Sequence, residues 1–187
     1  MPEAGTSHHR LQIAAWLGLA LLIAGLDQLS KAWIGQQLNF DQVWRITDWL
    51  NLVRVHNPGA AFSLLANAGG WQRWFFIGLG VLVMGWLIWT LIGHPHRPWL
   101  CAAMSLLLGG AAGNVWDRVW LGEVVDFVQV HGAWLSPFFP GGYFPSFNLA
   151  DSAISAGVVL MLWEEWQESR RLQAQTKAAQ EASTPSP

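Results

Sequence analysis

Two stretches of the chain carry no formal charge at all, residues 74–93 over twenty positions and residues 99–116 over eighteen. An α-helix rises about 1.5 Å per residue, so ~20 apolar residues cross the ~30 Å hydrocarbon core of a bilayer. Both stretches have that length. Only His94-Pro95-His96-Arg97-Pro98 separates them, so two helices here are antiparallel neighbours. Two further stretches approach the same length. Residues 11–34 are apolar until Asp27, Gln28, Ser30 and Lys31, and residues 147–163 hold Asp151 near their start. A charge at the bilayer centre costs ~2.5 to 3.5 kcal/mol, which places such groups near helix ends or against protein. The reading is an α-helical integral membrane protein with four transmembrane helices, about 11–34, 74–93, 99–116 and 147–163. Both termini and the short loop lie on one face, and two long connections, 35–73 and 117–146, lie on the other.

Composition agrees. The chain is 52% hydrophobic and 12% charged, about half the charge of an ordinary soluble domain. Fourteen Trp stand against one Tyr, and amphipathic indoles suit the headgroup region, which supplies partners for their N–H groups. Ten basic and twelve acidic residues make no polybasic surface, so nucleic acid is not an expected partner. Cys101 is the single cysteine, which excludes an internal disulfide and a cysteine-based metal site. The His residues at 8, 9, 56, 94, 96 and 131 fall into no ligand spacing, so neither a metal nor a cofactor is expected.

The first stretch follows Arg10 as a secretory signal would, but its small-x-small triplet, Gly18-Leu19-Ala20, sits in the middle of the apolar run. It reads as a retained span. Lys and Arg tie at five on each face: Arg10, Arg97, Arg170, Arg171 and Lys177 against Lys31, Arg45, Arg54, Arg73 and Arg118. The positive-inside rule therefore leaves the orientation open. Residues 43–55, closed by the turn signal Asn57-Pro58-Gly59, and residues 123–130 mix β-branched and aromatic residues with polar ones, which predicts a small antiparallel sheet at the membrane surface. The stretch from there to Pro145 reads as irregular. Residues 1–166 form one four-helix domain, and residues 167–187 a polar tail, a helical extension fraying into Ser-Thr-Pro-Ser-Pro.

Among the polar residues, Asp151 opens an apolar helix. Taken alone, it reads equally as an N-cap or first-turn carboxylate favoured by the helix dipole and as a functional acid. Asp126, between Val125 and Phe127, reads alone as a solvated loop acid. Two acids on one side of the membrane change the weighing. If they approach, repulsion raises one proton affinity, so one accepts a proton from water while the other donates to a carbonyl oxygen. That is sufficient for peptide hydrolysis without a metal or covalent nucleophile. Gly109-Gly110-Ala111-Ala112-Gly113-Asn114 makes a small-residue helix face for close packing, with Asn114 and Arg118 four apart on it. Asn114 is a candidate partner for a site acid or a substrate amide, or a plain helix contact, and Arg118 a clamp for a carboxylate or phosphate, or an interfacial anchor. Asp27 and Lys31, also four apart, read as an ion pair with a structural role.

Together these motifs resemble a known family, the bacterial lipoprotein signal peptidases, or type II signal peptidases. The matching blocks, in order, are Asp27-Gln28-Leu29-Ser30-Lys31; Asn57-Pro58-Gly59-Ala60-Ala61-Phe62-Ser63; Gly109 to Asn114 with Asp117-Arg118; Val124-Val125-Asp126-Phe127; and Phe147-Asn148-Leu149-Ala150-Asp151-Ser152. The resemblance implies an aspartic endopeptidase of the bacterial inner membrane that cleaves diacylglyceryl-modified prolipoproteins before the lipidated cysteine. By position, Asp126 and Asp151 match its catalytic pair, Asn57, Asn114, Arg118 and Asn148 its polar site residues, and Asp27 with Lys31 its first motif. It also implies cytoplasmic termini and a site near the periplasmic face. Prolipoprotein and membrane lipids are then the partners, and the expected assembly is a monomer. Phe62, Trp116 or Phe144 are candidates to line the approach to the site. The segment between Asp126 and Asp151 is longer than the resemblance leads one to expect. A proton-coupled transporter using Asp27, Asp126 and Asp151 and a non-catalytic assembly factor are the competing readings. The acids cluster toward one interface and no repeat pairs the halves, which weighs against transport.

Overall fold

The computed structural model describes residues 3–40, 42–59 and 69–183. Four helices run α1 (Glu3–Gln37), α2 (Trp71–Gly93), α3 (Pro98–Trp120) and α4 (Leu149–Ser183). Among the described residues, three segments are long and apolar enough to cross a membrane: His9–Gln37, Trp71–Gly93 and Pro98–Trp120. The apolar stretch of α4 gives way at Glu164 and Glu165 to a polar helix that continues to Ser183. Pro98 occupies the first turn of α3, where its missing N–H costs nothing and its fixed φ suits a helix start. That makes the turn after α2 as short as the sequence requires.

α3 is the central helix, packed against α1, α2 and α4. The predicted small-residue face explains how. A Cβ on Gly109 would meet the Ala20 carbonyl oxygen at 2.6 Å, one on Gly110 the Ala150 carbonyl oxygen at 2.5 Å, and one on Gly113 the Asp27 carboxylate. The glycines therefore let α1 and α4 approach α3 backbone to side chain, as membrane helices without a hydrophobic driving force require. Below them, Ala20, Leu87, Leu91, Leu100, Cys101, Ala103, Met104 and Leu108 form the buried core. Ser105 ties α3 to α1 by donating to the Trp16 carbonyl at 2.9 Å.

The two long connections build one antiparallel sheet in the order β1 (Trp44–Arg45), β2 (Leu50–Asn57) and β3 (Val124–Val130). Asn57 pairs with Val124 and Leu50 with Val130, with an irregularity between Leu52 and Val55. The sheet rests on the end of α1, where Ile34, Leu38 and Phe127 pack with Leu52 and Val128. After β3 the chain makes two 3₁₀ turns, Ala133–Leu135 and Pro140–Gly142. It then returns along the free edge of β3, where Phe147 bridges Val128. This pairing keeps Phe147 and Asn148 out of α4, which begins two residues later than the sequence pattern predicts. At the other boundaries α1, α2 and α3 extend beyond their apolar stretches by polar or aromatic turns.

The glycine contacts predict a contrast. Gly110→Ala must push α4 from α3 and costs ~1 to 3 kcal/mol of overpacking. Gly78→Ala, with nothing within 4 Å of its Cβ, holds or raises the thermal midpoint in detergent.

Candidate active site

Three charged side chains are buried together where α1, α3, β3 and α4 meet. Lys31 Nζ lies 2.7 Å from Asp27 Oδ2 and 2.7 Å from Asp117 Oδ2, and it donates to Asn114 Oδ1 at 3.2 Å. All three ammonium protons are thereby placed. Each carboxylate in turn holds a backbone amide. Asp27 Oδ1 accepts from the Ala150 N–H at 2.9 Å, and Asp117 Oδ2 from the Val125 N–H at 3.2 Å. Ala150 precedes Asp151 and Val125 precedes Asp126, so one ion triad fixes the backbone beside both predicted acids. Gln28 completes it by donating to Asp117 Oδ1 at 2.8 Å and to the Gly113 carbonyl at 3.1 Å.

The start of α4 is a reciprocal capping box, with Asn148 as N-cap and Asp151 as the third helical residue. Asn148 Oδ1 accepts from the Asp151 N–H at 2.9 Å, and Asp151 Oδ2 accepts from the Asn148 N–H at 3.2 Å. Two of the orphan donors of the first turn are therefore met by Asn148 and Asp27, with negative charge at the positive end of the helix. The same Asn148 side chain turns its Nδ2 to Asp126 Oδ1 at 2.8 Å, and also to Asn114 Oδ1 at 3.2 Å. Asn114 Nδ2 donates to Asp151 Oδ1 at 2.8 Å, and Asn57 Nδ2 to Asp126 Oδ2 at 3.2 Å. Two carboxylates from distant parts of the chain thus share one amide network.

Both acids face a cavity of about 620 Å³, together with Asn57, Asn114, Arg118 and the apolar Val55, Phe144, Phe147 and Ile154. Burial pushes the Asp126 carboxyl from 3.8 up to about 7; the Asp151 charge adds to the rise, and the Asn57 and Asn148 hydrogen bonds oppose it. A lining that combines two carboxyl groups with apolar side chains suits a substrate that brings a peptide bond and a hydrophobic portion together. Arg118 reaches across, donating to the Gly59 carbonyl at 2.7 Å and to the Asn114 carbonyl at 3.3 Å. Among the described residues no group of three His, Cys, Asp or Glu side chains is arranged to hold a metal.

Every predicted site residue is brought to this place, but in two tiers. Asn57, Asn114, Arg118, Asp126 and Asp151 line the cavity, and Asn148, Asp27 and Lys31 stand behind it. Of the candidate aromatics, Phe144 lines the cavity, Trp116 lies on a separate groove between α1 and α3, and Phe62 lies outside the described residues, as do Ala60, Ala61 and Ser63 of its motif. Sequence reasoning gave Asp117 no role. The signal available was its charge near the end of an apolar helix, three residues after Asn114, where an acid needs a buried partner.

Comparison with known proteins now bears on this geometry. The sequence profile of signal peptidase (SPase) II matches residues 19–167. The lipoprotein signal peptidase of Cupriavidus taiwanensis is 46% identical over 157 residues, covering 83% of this chain and 85% of that protein. That of Azoarcus sp. strain BH72 is 45% identical over 164 residues, covering 87% and 89%. A bacterial membrane enzyme solved by the in meso method at 2.3 Å superposes with a TM-score of 0.71 at 28% identity, over 83% of this chain and 90% of the other.

Removing one member of a buried ion cluster leaves uncompensated charge. Lys31→Met is expected to cost ~3 to 5 kcal/mol, read as a large fall in the thermal midpoint. Arg45→Met, which breaks an exposed 2.7 Å pair with Asp48, leaves the midpoint almost unchanged.

Proposed function

The chain belongs to the signal peptidase II family, a family of membrane peptidases, and from that premise we propose that it is the endopeptidase that removes the signal peptide from diacylglyceryl-modified prolipoproteins. The cut falls on the amino side of the lipidated cysteine, and Asp126 and Asp151 are the catalytic pair. The observation that carries this reading is the shared network: two carboxylates face one cavity, are joined through Asn148 and Asn114, and have one proton affinity raised to about 7.

A water between the two carboxylates loses a proton to the ionised one as its oxygen attacks the scissile carbonyl. The protonated partner gives its proton to the carbonyl oxygen. Collapse of the tetrahedral intermediate then breaks the C–N bond, and the departing nitrogen takes up a proton from the pair. Asn57 and Asn148 hold Asp126, Asn114 and the α4 cap hold Asp151, and Arg118 supplies positive charge to the cavity. Asp27, Lys31 and Asp117 are positioning residues, since they act on the backbone beside the pair. The acyl chains stay in lipid while the peptide reaches the cavity.

In this reading residues 1–166 are one domain, the apolar stretch of α4 is a fourth span, and residues 167–187 are a cytoplasmic extension. The protein is a monomer in the inner membrane, with cytoplasmic termini and the sheet at the periplasmic face. The structure supports that orientation through the fate of the tied cations. On the sheet side Lys31 is buried in the triad, and Arg54 is spent on the Gly35 carbonyl at 3.2 Å and the Phe40 ring. These are internal charges rather than loop charges, and discounting them leaves the excess on the face of the termini.

Asp126→Asn and Asp151→Asn are each expected to lower single-turnover cleavage of a diacylglyceryl-modified prolipoprotein peptide by about 10²- to 10⁴-fold, with thermal unfolding retained. Near-normal turnover in either variant removes that residue from the pair.

A further inference from the structure

Between the two acids the chain makes an excursion that the reaction does not explain. Residues 131–150 contain no Asp, Glu, Lys or Arg. Large side chains nevertheless point outward from it, with Trp134 64%, Phe138 78% and Tyr143 49% exposed. The excursion is tied shut at its base. The Gly132 N–H donates to the Gly142 carbonyl at 2.9 Å, His131 bridges Tyr143, and their rings stack at 5.4 Å. Gly142 sits at φ +75°, where a Cβ would also meet the Gly132 oxygen at 2.6 Å, so only glycine closes this neck. Leu135 is buried inside it. A closed neck that holds apolar rings outward pays ordering entropy to expose them, which makes physical sense only against an apolar partner.

The depth of the neck identifies that partner. β3 packs through Phe127 and Val128 on Ile34 and Leu38 at the end of α1, and Val128 bridges Phe147, one residue before the cap of α4. The neck therefore leaves the sheet at the level where apolar helices end, the headgroup layer in which Trp and Tyr concentrate. The surface is also continuous with the helices. The His131 N–H donates to the Trp49 carbonyl at 2.9 Å, Trp49 is exposed, and Trp44 of β1 stacks on Trp33 of α1 at 6.1 Å.

We propose that residues 132–143 seat in the boundary between headgroups and acyl chains of the bilayer, with Trp134 and Phe138 in contact with lipid. The seat reaches the cavity through a ladder of rings. Phe139 packs edge-on against Phe144 at 5.1 Å, and Phe144 against Phe147 at 6.0 Å; both Phe144 and Phe147 line the cavity. The lipid contact thus steadies the aromatic part of the cavity lining.

The test measures depth and is independent of the proposed reaction. In a Cys101→Ser background, Trp134→Cys and Phe138→Cys are each labelled with a nitroxide in the full chain, in nanodiscs of phosphatidylethanolamine and phosphatidylglycerol. Arg171→Cys, on the polar extension of α4, serves as the aqueous reference. The seat predicts that labels at 134 and 138 are relaxed more by oxygen than by a water-soluble nickel chelate, and the label at 171 the reverse. Labels at 134 and 138 that behave like 171 place the excursion in water and overturn the proposal. Labels shielded from both reagents also overturn it, because they show a protein partner on this surface. Both substitutions fall on exposed side chains, and thermal unfolding of each labelled protein verifies the fold.

Discussion

One ammonium group organises this end of the molecule. Lys31 joins Asp27 of α1 to Asp117 of α3, and those carboxylates hold the amides of Ala150 and Val125. One cation therefore links the amide that precedes Asp151 in α4 to the amide that precedes Asp126 in β3, beside the direct contacts that Phe147 and Asn148 make with β3. Such a cluster is a costly way to gain stability, because desolvating the ions offsets most of their attraction. What it supplies is placement. A hydrophobic substitute could fill the volume but could not grip two backbone amides from opposite sides.

The same burial constrains protons. Asp27, Asp117, Asp126 and Asp151 converge on a region where, among the described residues, Lys31 and Arg118 are the cations coupled to them, so full ionisation leaves excess negative charge away from water. The relief falls on Asp126, whose proton affinity burial and Asp151 raise to about 7. A folded value above the ordinary 3.8 means the native state binds this proton more tightly than the unfolded chain. Its contribution to stability is full below about pH 4 and is lost as pH rises through about 7, at up to ~1.4 kcal/mol per pH unit. A site that sacrifices stability near neutrality to keep one acid protonated is suited to acid–base work there, and this is the trade seen where function strains a fold.

Much of this was legible in the sequence because membranes impose simple rules. The uncharged runs gave α2 and α3, the glycine face of α3 gave its close packing, and i,i+4 spacing gave the Asp27–Lys31 pair. Asp151 was legible as a carboxylate at the start of α4, but the N-cap itself is Asn148. What no local pattern shows is that Asn148, while capping, turns its amide to Asp126, because that contact depends on Phe147 pairing with β3. Asp117 escaped for the same reason, since its partners come from α1 and β3. The charge-free excursion of residues 131–146 read as irregular, and its closure rests on backbone bridges that composition does not encode. Orientation stayed open because counting cations cannot tell a loop arginine from one that caps a helix.

The central claim is that Asp126, buried beside Asp151, holds its proton up to neutrality, and infrared difference spectroscopy of the protein in nanodiscs tests it most directly. The protonated-carboxyl stretch is followed from about pH 5 to about pH 9. The account predicts a band that titrates out near pH 7 in the wild type, vanishes in Asp126→Asn, and titrates at lower pH in Asp151→Asn, where the neighbouring charge is gone. A wild type without such a band anywhere in that range would mean that Asp126 is ionised at neutral pH, and would contradict the account.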